Sequence, residues 1–230
     1  MDTQALLSLA GRRVLLTHAG RFMGPALREC FGALGAEVIA DDSPLIEPEA
    51  PARLVEAAGR IDVLVAHLAY PAPTTRVESV GDDEWREVFA HLVDPLPRLA
   101  RAVLPQMIER RAGKILVMGS AAALRGQKRT SSYSAARGAQ LAWVQSAGLE
   151  LAPHGIQVNA IAQNLVDNPM YFPPEVQANP KFQERIQREM PLGRLVSAPE
   201  DAAFAAYLCS DAANCFVGQV FPVAGGWVTR

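Results

Sequence analysis

The sequence predicts an α/β protein in which helices cover both faces of a parallel β-sheet. Short apolar segments rich in β-branched residues alternate with longer amphipathic segments, and glycine or polar residues separate them. No repeat of about 20 to 50 residues and no low-complexity linker divides the chain. Strands and helices in this alternation form right-handed crossovers and a doubly wound sheet. We therefore expect one Rossmann-like three-layer sandwich, a single domain over residues 1–230.

The first half of the chain carries three predicted strands and three predicted helices. Pro25 suits the first turn of the first helix, where an amide hydrogen would have no partner. The acidic run from Asp82 suits the first turn of a long helix, which Pro95, Pro97 and Pro105 are expected to bend or interrupt. The predicted strands cover residues 12–17, 36–40 and 61–66, and the predicted helices cover 25–35, 49–59 and 82–107.

The second half continues the alternation and adds one long loop. A helix predicted over 132–151 is rich in alanine and glycine, small residues that let another helix approach closely and that often lie at an interface. Residues 163–174 form a predicted loop rich in asparagine, proline and aromatic residues. The remaining predicted strands cover 114–119, 156–162 and 219–223, and the remaining helices lie near 175–189 and 199–210.

Composition excludes several classes of function. Half of the 230 residues are apolar and a fifth are charged, so the chain can bury a large core. The net charge is −2 with both signs interspersed, which offers no basic surface to nucleic acid and suits small neutral substrates. No segment is apolar over the length of a membrane span, and the start lacks a secretory leader. We therefore expect a cytoplasmic protein that keeps its whole chain and binds no membrane.

The cysteines and histidines give no metal-binding pattern. Cys30, Cys209 and Cys215 are odd in number, lie in apolar surroundings and have no CxxC spacing, which favours reduced buried thiols. The four histidines are scattered, without a paired motif such as HExxH. We therefore expect no bound metal.

Ser120, Tyr133 and Arg137 form the proposed catalytic group. Ser120 follows the predicted strand 114–119, at the carboxyl end where ligands bind in open α/β sheets. Tyr133 and Arg137 are i and i+4 on the predicted helix, which places a phenol beside a permanent cation. On spacing alone, a serine and a tyrosine that only decorate the start of a helix explain the pattern equally well.

Over nearly its whole length the chain resembles the short-chain dehydrogenases/reductases. The matching segments are residues 61–65 (IDVLV), 101–105 (RAVLP), 114–117 (KILV), 133–136 (YSAA), 156–159 (IQVN) and the ending 218–219 with 224–226. The resemblance implies the Rossmann fold. Every position with which that family holds its nicotinamide cofactor is, however, altered.

The glycine-rich turn after the first strand shows the alteration most clearly. The family has Thr-Gly-x-x-x-Gly-x-Gly there, because only glycine lets the backbone approach a pyrophosphate closely. The corresponding residues are Thr17, His18, Phe22 and Gly24, so a benzyl group stands where the diphosphate would lie. The family's Asn-Asn-Ala-Gly stretch, helix asparagine, Pro-Gly and ribose-binding lysine are replaced by residues 66–69, Leu92, Gln163-Asn164 and Arg137, respectively. We therefore expect no nicotinamide cofactor.

This combination resembles the halohydrin dehalogenases, cofactor-independent relatives of the short-chain reductases. Two motifs of that family are present: Thr17, Phe22 and Gly24 in the first turn, and the serine, tyrosine and arginine at positions 120, 133 and 137. The resemblance implies reversible closure of vicinal haloalcohols to epoxides with release of halide and a proton. It also implies reverse opening of epoxides by halide, azide, cyanide or nitrite, and assembly as a homotetramer.

The resemblance assigns a role to each member of the catalytic group. Tyr133 takes the proton from the substrate hydroxyl, Ser120 orients the substrate oxygen, and Arg137 stabilises the tyrosinate. A phenol in water titrates at about pH 10, and one nearby cation offsets only part of the difference from neutral pH. We therefore expect an activity optimum on the alkaline side.

Backside displacement places the leaving halide opposite the catalytic group, in the space that a nicotinamide would fill. The resemblance assigns the halide site to the first turn and to the loop after the fifth strand, whose backbone amides and aromatic edges suit a weakly hydrated anion. The predicted halide-binding residues are Phe22, Gln163, Asn164, Leu165 and Val166. The predicted substrate pocket adds Thr17, His67, Tyr171, Phe172 and Trp227.

Several of these residues fit a structural role equally well. Packing of the loop onto the sheet explains Tyr171 and Phe172 as well as substrate contact does. His67 either lines the site or caps the third strand, and Trp227 either reaches a neighbouring subunit's pocket or packs within its own chain. Asp41 and Asp42 are interpreted as a solvated turn rather than a ribose site. The competing functions are a divergent NAD(P)-dependent reductase and a non-catalytic binding protein with a Rossmann shell.

Overall fold

The computed structural model describes residues 3–229, in which strands and helices alternate. The strands are β1 (Arg13–Thr17), β2 (Glu37–Asp41), β3 (Val63–Ala66), β4 (Gly113–Ser120), β5 (Ile156–Gln163) and β6 (Val220–Val223). The helices are α1 (Thr3–Leu7), α2 (Gly24–Ala33), α3 (Ala50–Ala58), α4 (Asp82–Leu92), α5 (Pro95–Arg110), α6 (Ser131–Leu151), α7 (Pro174–Gln177), α8 (Pro180–Glu189) and α9 (Ala198–Cys209).

The strands form one parallel sheet in the order β2-β1-β3-β4-β5-β6. Helix α2 packs against α9, whereas α3 packs against α5 and α4 against α6, so helices cover both faces. Strand β3 is completely buried between these layers. The register pairs Ser120 with Gln163, the last residues of β4 and β5, at the carboxyl edge where ligands bind in such sheets. The predicted Rossmann-like sandwich is confirmed.

The long helix predicted over residues 82–107 is two helices in the structure. Helix α4 ends at Leu92 and α5 begins at Pro95, whose ring has no amide hydrogen with which to continue a helix. The amide of Leu96 donates to the carbonyl of Val93 instead of Leu92, so the Leu92 carbonyl loses its ordinary helical partner. Pro105 stays inside α5 without interrupting it.

The structure also bears on the predictions for the cysteines, metal binding and membrane spans. All three cysteines are free, but only Cys209 is buried, because Cys30 is half-buried and Cys215 is exposed, against the expectation that each is buried. Residues 3–229 contain no group of three or more His, Cys, Asp or Glu side chains that could hold a metal ion. No helix in this range has the length and apolar character needed to cross a membrane.

Candidate active site

Ser120, Tyr133 and Arg137 line one cavity of about 110 Å³. Ser120 ends β4, where its Oγ accepts a hydrogen bond from the amide of Ala122 at 3.2 Å and thereby fixes the turn that follows. Tyr133 and Arg137 lie one turn apart on α6, as their spacing predicts. Ser120 and Arg137 are buried and Tyr133 is half-buried. The fold therefore brings the three predicted side chains to a shared, largely enclosed space.

Arg137 is held mainly by carbonyl oxygens. Its Nη1 donates to the backbone of Met118 and to the side chain of Gln140, both at 3.0 Å, and its Nη2 donates to the carbonyl of Leu68 at 3.2 Å. These acceptors are neutral, so none of them is a counter-charge to the guanidinium. The centre of the guanidinium lies 5.1 Å from the centroid of the Tyr133 ring. A desolvated cation therefore stands directly beside the phenol.

The first turn and the loop after β5 supply a second set of lining residues, which we call the loop wall. Phe22 reaches it from the first turn, and its ring packs on Tyr171 with centroids 5.0 Å apart. The loop wall consists of Phe22, Gln163, Asn164, Leu165, Val166, Tyr171 and Phe172. These residues and the catalytic group thus meet in one cavity. The sequence interpretation missed the additional lining residues Ala69, Tyr70, Met118, Gly119 and Asn168.

Thr17 and Trp227 were expected in the pocket, and neither lines it. Thr17 is fully buried in β1, where its hydroxyl donates to the carbonyl of His67 and accepts from the His67 amide, each at 3.1 Å. Trp227 is buried within its own chain, and the guanidinium centre of Arg125 lies 4.6 Å from the centroid of its indole ring. Nη1 of Arg125 also donates to the Trp227 carbonyl. The bonds of Thr17 join the ends of β1 and β3, and the contacts of Trp227 are those of core packing.

His67 lines the cavity as a neutral imidazole. Burial, together with the nearby charges of Arg137 and His18, lowers its pKa to about 4. Its Nδ1 lies 3.2 Å from the carbonyl of His18, so we assign the proton to Nδ1 because a carbonyl can only accept. The remaining nitrogen is then a hydrogen-bond acceptor.

The two residues that replace glycine in the first turn keep a glycine-like backbone. His18 and Phe22 have φ values of 47° and 44°, a left-handed conformation that costs a residue with a side chain about 1 kcal/mol or more. Gly24 has no room for a side chain, because a Cβ there would lie 2.4 Å from the carbonyl oxygen of Ala19. The turn therefore has a backbone that favours glycine at His18 and Phe22, while the Phe22 side chain lines the cavity.

Two backbone amides at and near the first turn donate hydrogen bonds to side chains of the same chain. The Gly20 amide donates to Oδ1 of Asp42 at 2.8 Å, and the Ala69 amide donates to Nδ1 of His18 at 2.9 Å. Asp42 is thus a partner of the first turn and not only part of a solvated turn. An incoming diphosphate would have to displace a carboxylate from the Gly20 amide, with repulsion between the two negative charges.

Three buried side-chain polar atoms of the described chain lack a hydrogen-bond partner, and all belong to this region. They are Nε of Arg137, Nδ2 of Asn164 and Oδ1 of Asp201. Arg137 and Asn164 line the cavity, and Oδ2 of Asp201 accepts from the side chain of Gln163 at 3.3 Å. Burial raises the pKa of Asp201 to about 7. Two unpaired donors on lining residues favour a ligand that accepts hydrogen bonds.

The chain is similar in sequence to known reductases and in structure to known dehalogenases. The family model described as enoyl-(acyl carrier protein) reductase matches residues 6–228. A 3-oxoacyl-acyl-carrier-protein reductase, FabG of Pseudomonas aeruginosa, is 33% identical over 96% of this chain and 98% of its own length.

Two solved structures are similar to the chain in both fold and sequence. One, titled "Dehalogenation enzyme", is 35% identical, covers 96% of this chain and 99% of its own, and has a TM-score of 0.89. The other, a halohydrin dehalogenase (HheC) bound to ethyl (2S)-oxiran-2-ylacetate, is 28% identical, with coverage of 95% and 98% and a TM-score of 0.87. The matches over nearly the full length show that the chain belongs to the short-chain dehydrogenase/reductase superfamily.

Proposed function

We propose that the protein is a halohydrin dehalogenase, which reversibly converts vicinal haloalcohols into epoxides, halide and a proton. One observation carries the proposal: the serine, tyrosine and arginine share a small cavity with Phe22 and the loop wall. The amides of Gly20 and Ala69 support it, because a bound dinucleotide would have to displace the side chains of Asp42 and His18 from them. The similar dehalogenation enzyme and halohydrin dehalogenase support it independently.

The proposed chemistry gives each member of the catalytic group one role. Tyr133 as phenolate accepts the proton of the substrate hydroxyl, and the freed oxygen attacks the neighbouring carbon. The new carbon–oxygen bond forms as the carbon–halogen bond breaks, and the halide leaves with the bonding electron pair. In this proposal Ser120 hydrogen-bonds the substrate oxygen, and Arg137, whose guanidinium centre lies 5.1 Å from the centroid of the Tyr133 ring, is the cation that faces the phenolate.

The loop wall receives the leaving halide in this proposal. A halide is a weakly hydrated anion that needs donors and polarisable edges, but no full counter-charge that would retain it. The unpaired Asn164 amide and the rings of Phe22 and Tyr171 offer such contacts. In the reverse direction, the same wall would accept azide, cyanide or nitrite as nucleophiles for epoxide opening.

The second candidate is a nicotinamide-dependent reductase, which the likeness to the Pseudomonas reductase favours. Against it stand Phe22 in the place of the diphosphate and the carboxylate of Asp42 on the Gly20 amide. We therefore propose action without a cofactor. The free cysteines and the resemblance to halohydrin dehalogenases lead us to propose, in addition, a homotetramer in the cytoplasm. Titration with NADH and NADPH, followed by nucleotide fluorescence, should show no binding at micromolar concentration, and saturable binding would favour the reductase.

Halide release from 1,3-dichloro-2-propanol tests the proposal. The wild-type protein should release chloride without added nucleotide, and Tyr133→Phe should reduce the rate by about 100-fold or more, because the phenol is the base. Tyr207→Phe is the matched control, because Tyr207 does not line the cavity and its hydroxyl donates to the carbonyl of Ala212 at 3.5 Å. Equal release by wild type and Tyr133→Phe would refute the assignment.

A further inference from the structure

Gln140 lies behind Arg137 on α6 and is fully buried. Both ends of its amide have partners: Oε1 accepts from Nη1 of Arg137 at 3.0 Å, and Nε2 donates to the carbonyl of Leu92. A buried amide with both ends satisfied has one preferred orientation. Gln140 does not line the cavity, so its contact with the catalytic group is the hydrogen bond to Arg137.

The Leu92 carbonyl is available because the helix breaks there. The Leu96 amide, its partner in a continuous helix, donates to Val93 instead, and the amides of Val93 and Asp94 both donate to Phe89. Without Gln140, the Leu92 carbonyl would be a buried acceptor without a recorded partner, at a cost of about 1 to 3 kcal/mol. The break between α4 and α5 thus anchors the amide that contacts Arg137.

We propose that Gln140 is the positioning residue that fixes the Arg137 guanidinium beside Tyr133 and leaves its charge intact. Gln140 supplies the only side-chain acceptor among the recorded bonds of Arg137, since the others are the carbonyls of Met118 and Leu68. A neutral amide fixes the plane of the guanidinium, whereas a carboxylate at the same place would offset the charge. This inference deepens the proposed function and rests on it.

Two variants separate orientation from charge. Gln140→Glu keeps an acceptor for Arg137 but adds a negative charge, and Gln140→Met keeps the volume but removes both hydrogen bonds. Gln145→Glu is the matched control, because Gln145 lies exposed on the same helix. Each variant is first checked for cooperative thermal unfolding, so that rates are compared only for folded protein.

The kinetic result expected is a change in kcat with little change in KM. Gln140→Glu should lower kcat for halide release at pH 7 by about tenfold and move the acidic limb of the pH–rate profile upward by about one pH unit, because a tenfold change equals one pH unit. Gln140→Met should lower kcat by a similar factor with a smaller displacement of that limb. A folded Gln140→Glu variant whose acidic limb matches wild type would overturn the proposal, as would the same displacement in Gln145→Glu.

A spectroscopic titration separates this inference from the proposed function. The phenolate absorbance of Tyr133, taken as wild type minus Tyr133→Phe, is recorded against pH without substrate. In the Gln140→Glu background it should develop at higher pH, whether or not the protein releases halide from any haloalcohol tested. Coincident curves in the two backgrounds would refute the positioning role, while failure of halide release alone would refute only the proposed reaction.

Discussion

The rings of Phe22 and Tyr171 pack against each other with centroids 5.0 Å apart and planes inclined by 35°. This contact joins the first turn to the loop after β5, and the Tyr171 hydroxyl accepts from the Ala72 amide at 3.1 Å, which adds the segment after β3. Three segments distant in sequence therefore meet at one aromatic pair. Both residues line the cavity that also holds Ser120, Tyr133 and Arg137.

Removal of the Phe22 ring should weaken anion binding. We expect Phe22→Ala to lower kcat/KM for halide release and to raise the inhibition constant of bromide, each by about tenfold, or about 1.4 kcal/mol. Phe22→Leu keeps most of the apolar volume, so its kcat/KM and its bromide inhibition constant should lie between those of Phe22→Ala and wild type. Bromide inhibition measured across a concentration series checks the prediction, and an unchanged constant in Phe22→Ala would remove this residue from the halide site.

Gly24→Ala should destabilise the protein. The added Cβ would lie 2.4 Å from the Ala19 oxygen and 2.7 Å from the His18 oxygen, both backbone atoms that cannot rotate away. We expect a loss of about 2 to 3 kcal/mol in the free energy of unfolding, measured in urea. Gly138→Ala is the control, because open space surrounds that position in α6, and it should stabilise by about 0.5 to 1 kcal/mol. Equal stability of Gly24→Ala and wild type would contradict the tight turn.

Asp201 should make the protein less stable as the pH rises. Burial raises its pKa to about 7 in the folded state, against about 4 in an unfolded chain. Between these values the folded state holds a proton that the unfolded state releases, so stability falls with increasing pH and the contribution totals about 4 kcal/mol. Below about pH 4 both states are protonated and this contribution is constant.

The comparison with Asp201→Asn isolates this effect from other carboxyl groups. The stability of the variant relative to wild type should increase from pH 4 to pH 7 and then level off, because the amide does not titrate. Asp83→Asn, at an exposed carboxyl group, should show no comparable trend. Urea unfolding at several pH values gives the measurement, and a difference independent of pH would show that Asp201 has an ordinary pKa.

Local patterns predicted the strands and the catalytic group. Alternation of apolar strands and helices fixed the architecture, and the i, i+4 spacing of Tyr133 and Arg137 placed them on one helical face. Phe22 lines the same cavity, from the turn that directly follows β1. In each case the relevant contacts follow from neighbouring residues or from the order of strands.

Contacts between distant segments were not predictable in this way. Gln140 acquires its role only because α4 breaks at Leu92, 48 residues earlier in the chain, and Asp201 meets Gln163 across 38 residues. Trp227 packs within its own chain, one of the two alternatives that the sequence left open, and its partner Arg125 lies 102 residues away. A sequence pattern shows which residues share a face, but not which distant backbone groups have been left without a partner.

The central claim is that the protein closes haloalcohols to epoxides without a nucleotide. The most direct test measures bromide and epoxide together, with 1-bromo-2-propanol as substrate and all nicotinamide nucleotides removed. Intramolecular displacement predicts one epoxide and one bromide for each haloalcohol consumed by the wild-type protein, and neither product above background with Tyr133→Phe. Bromide release without an equal amount of epoxide, or turnover only after NADPH is added, would contradict the account.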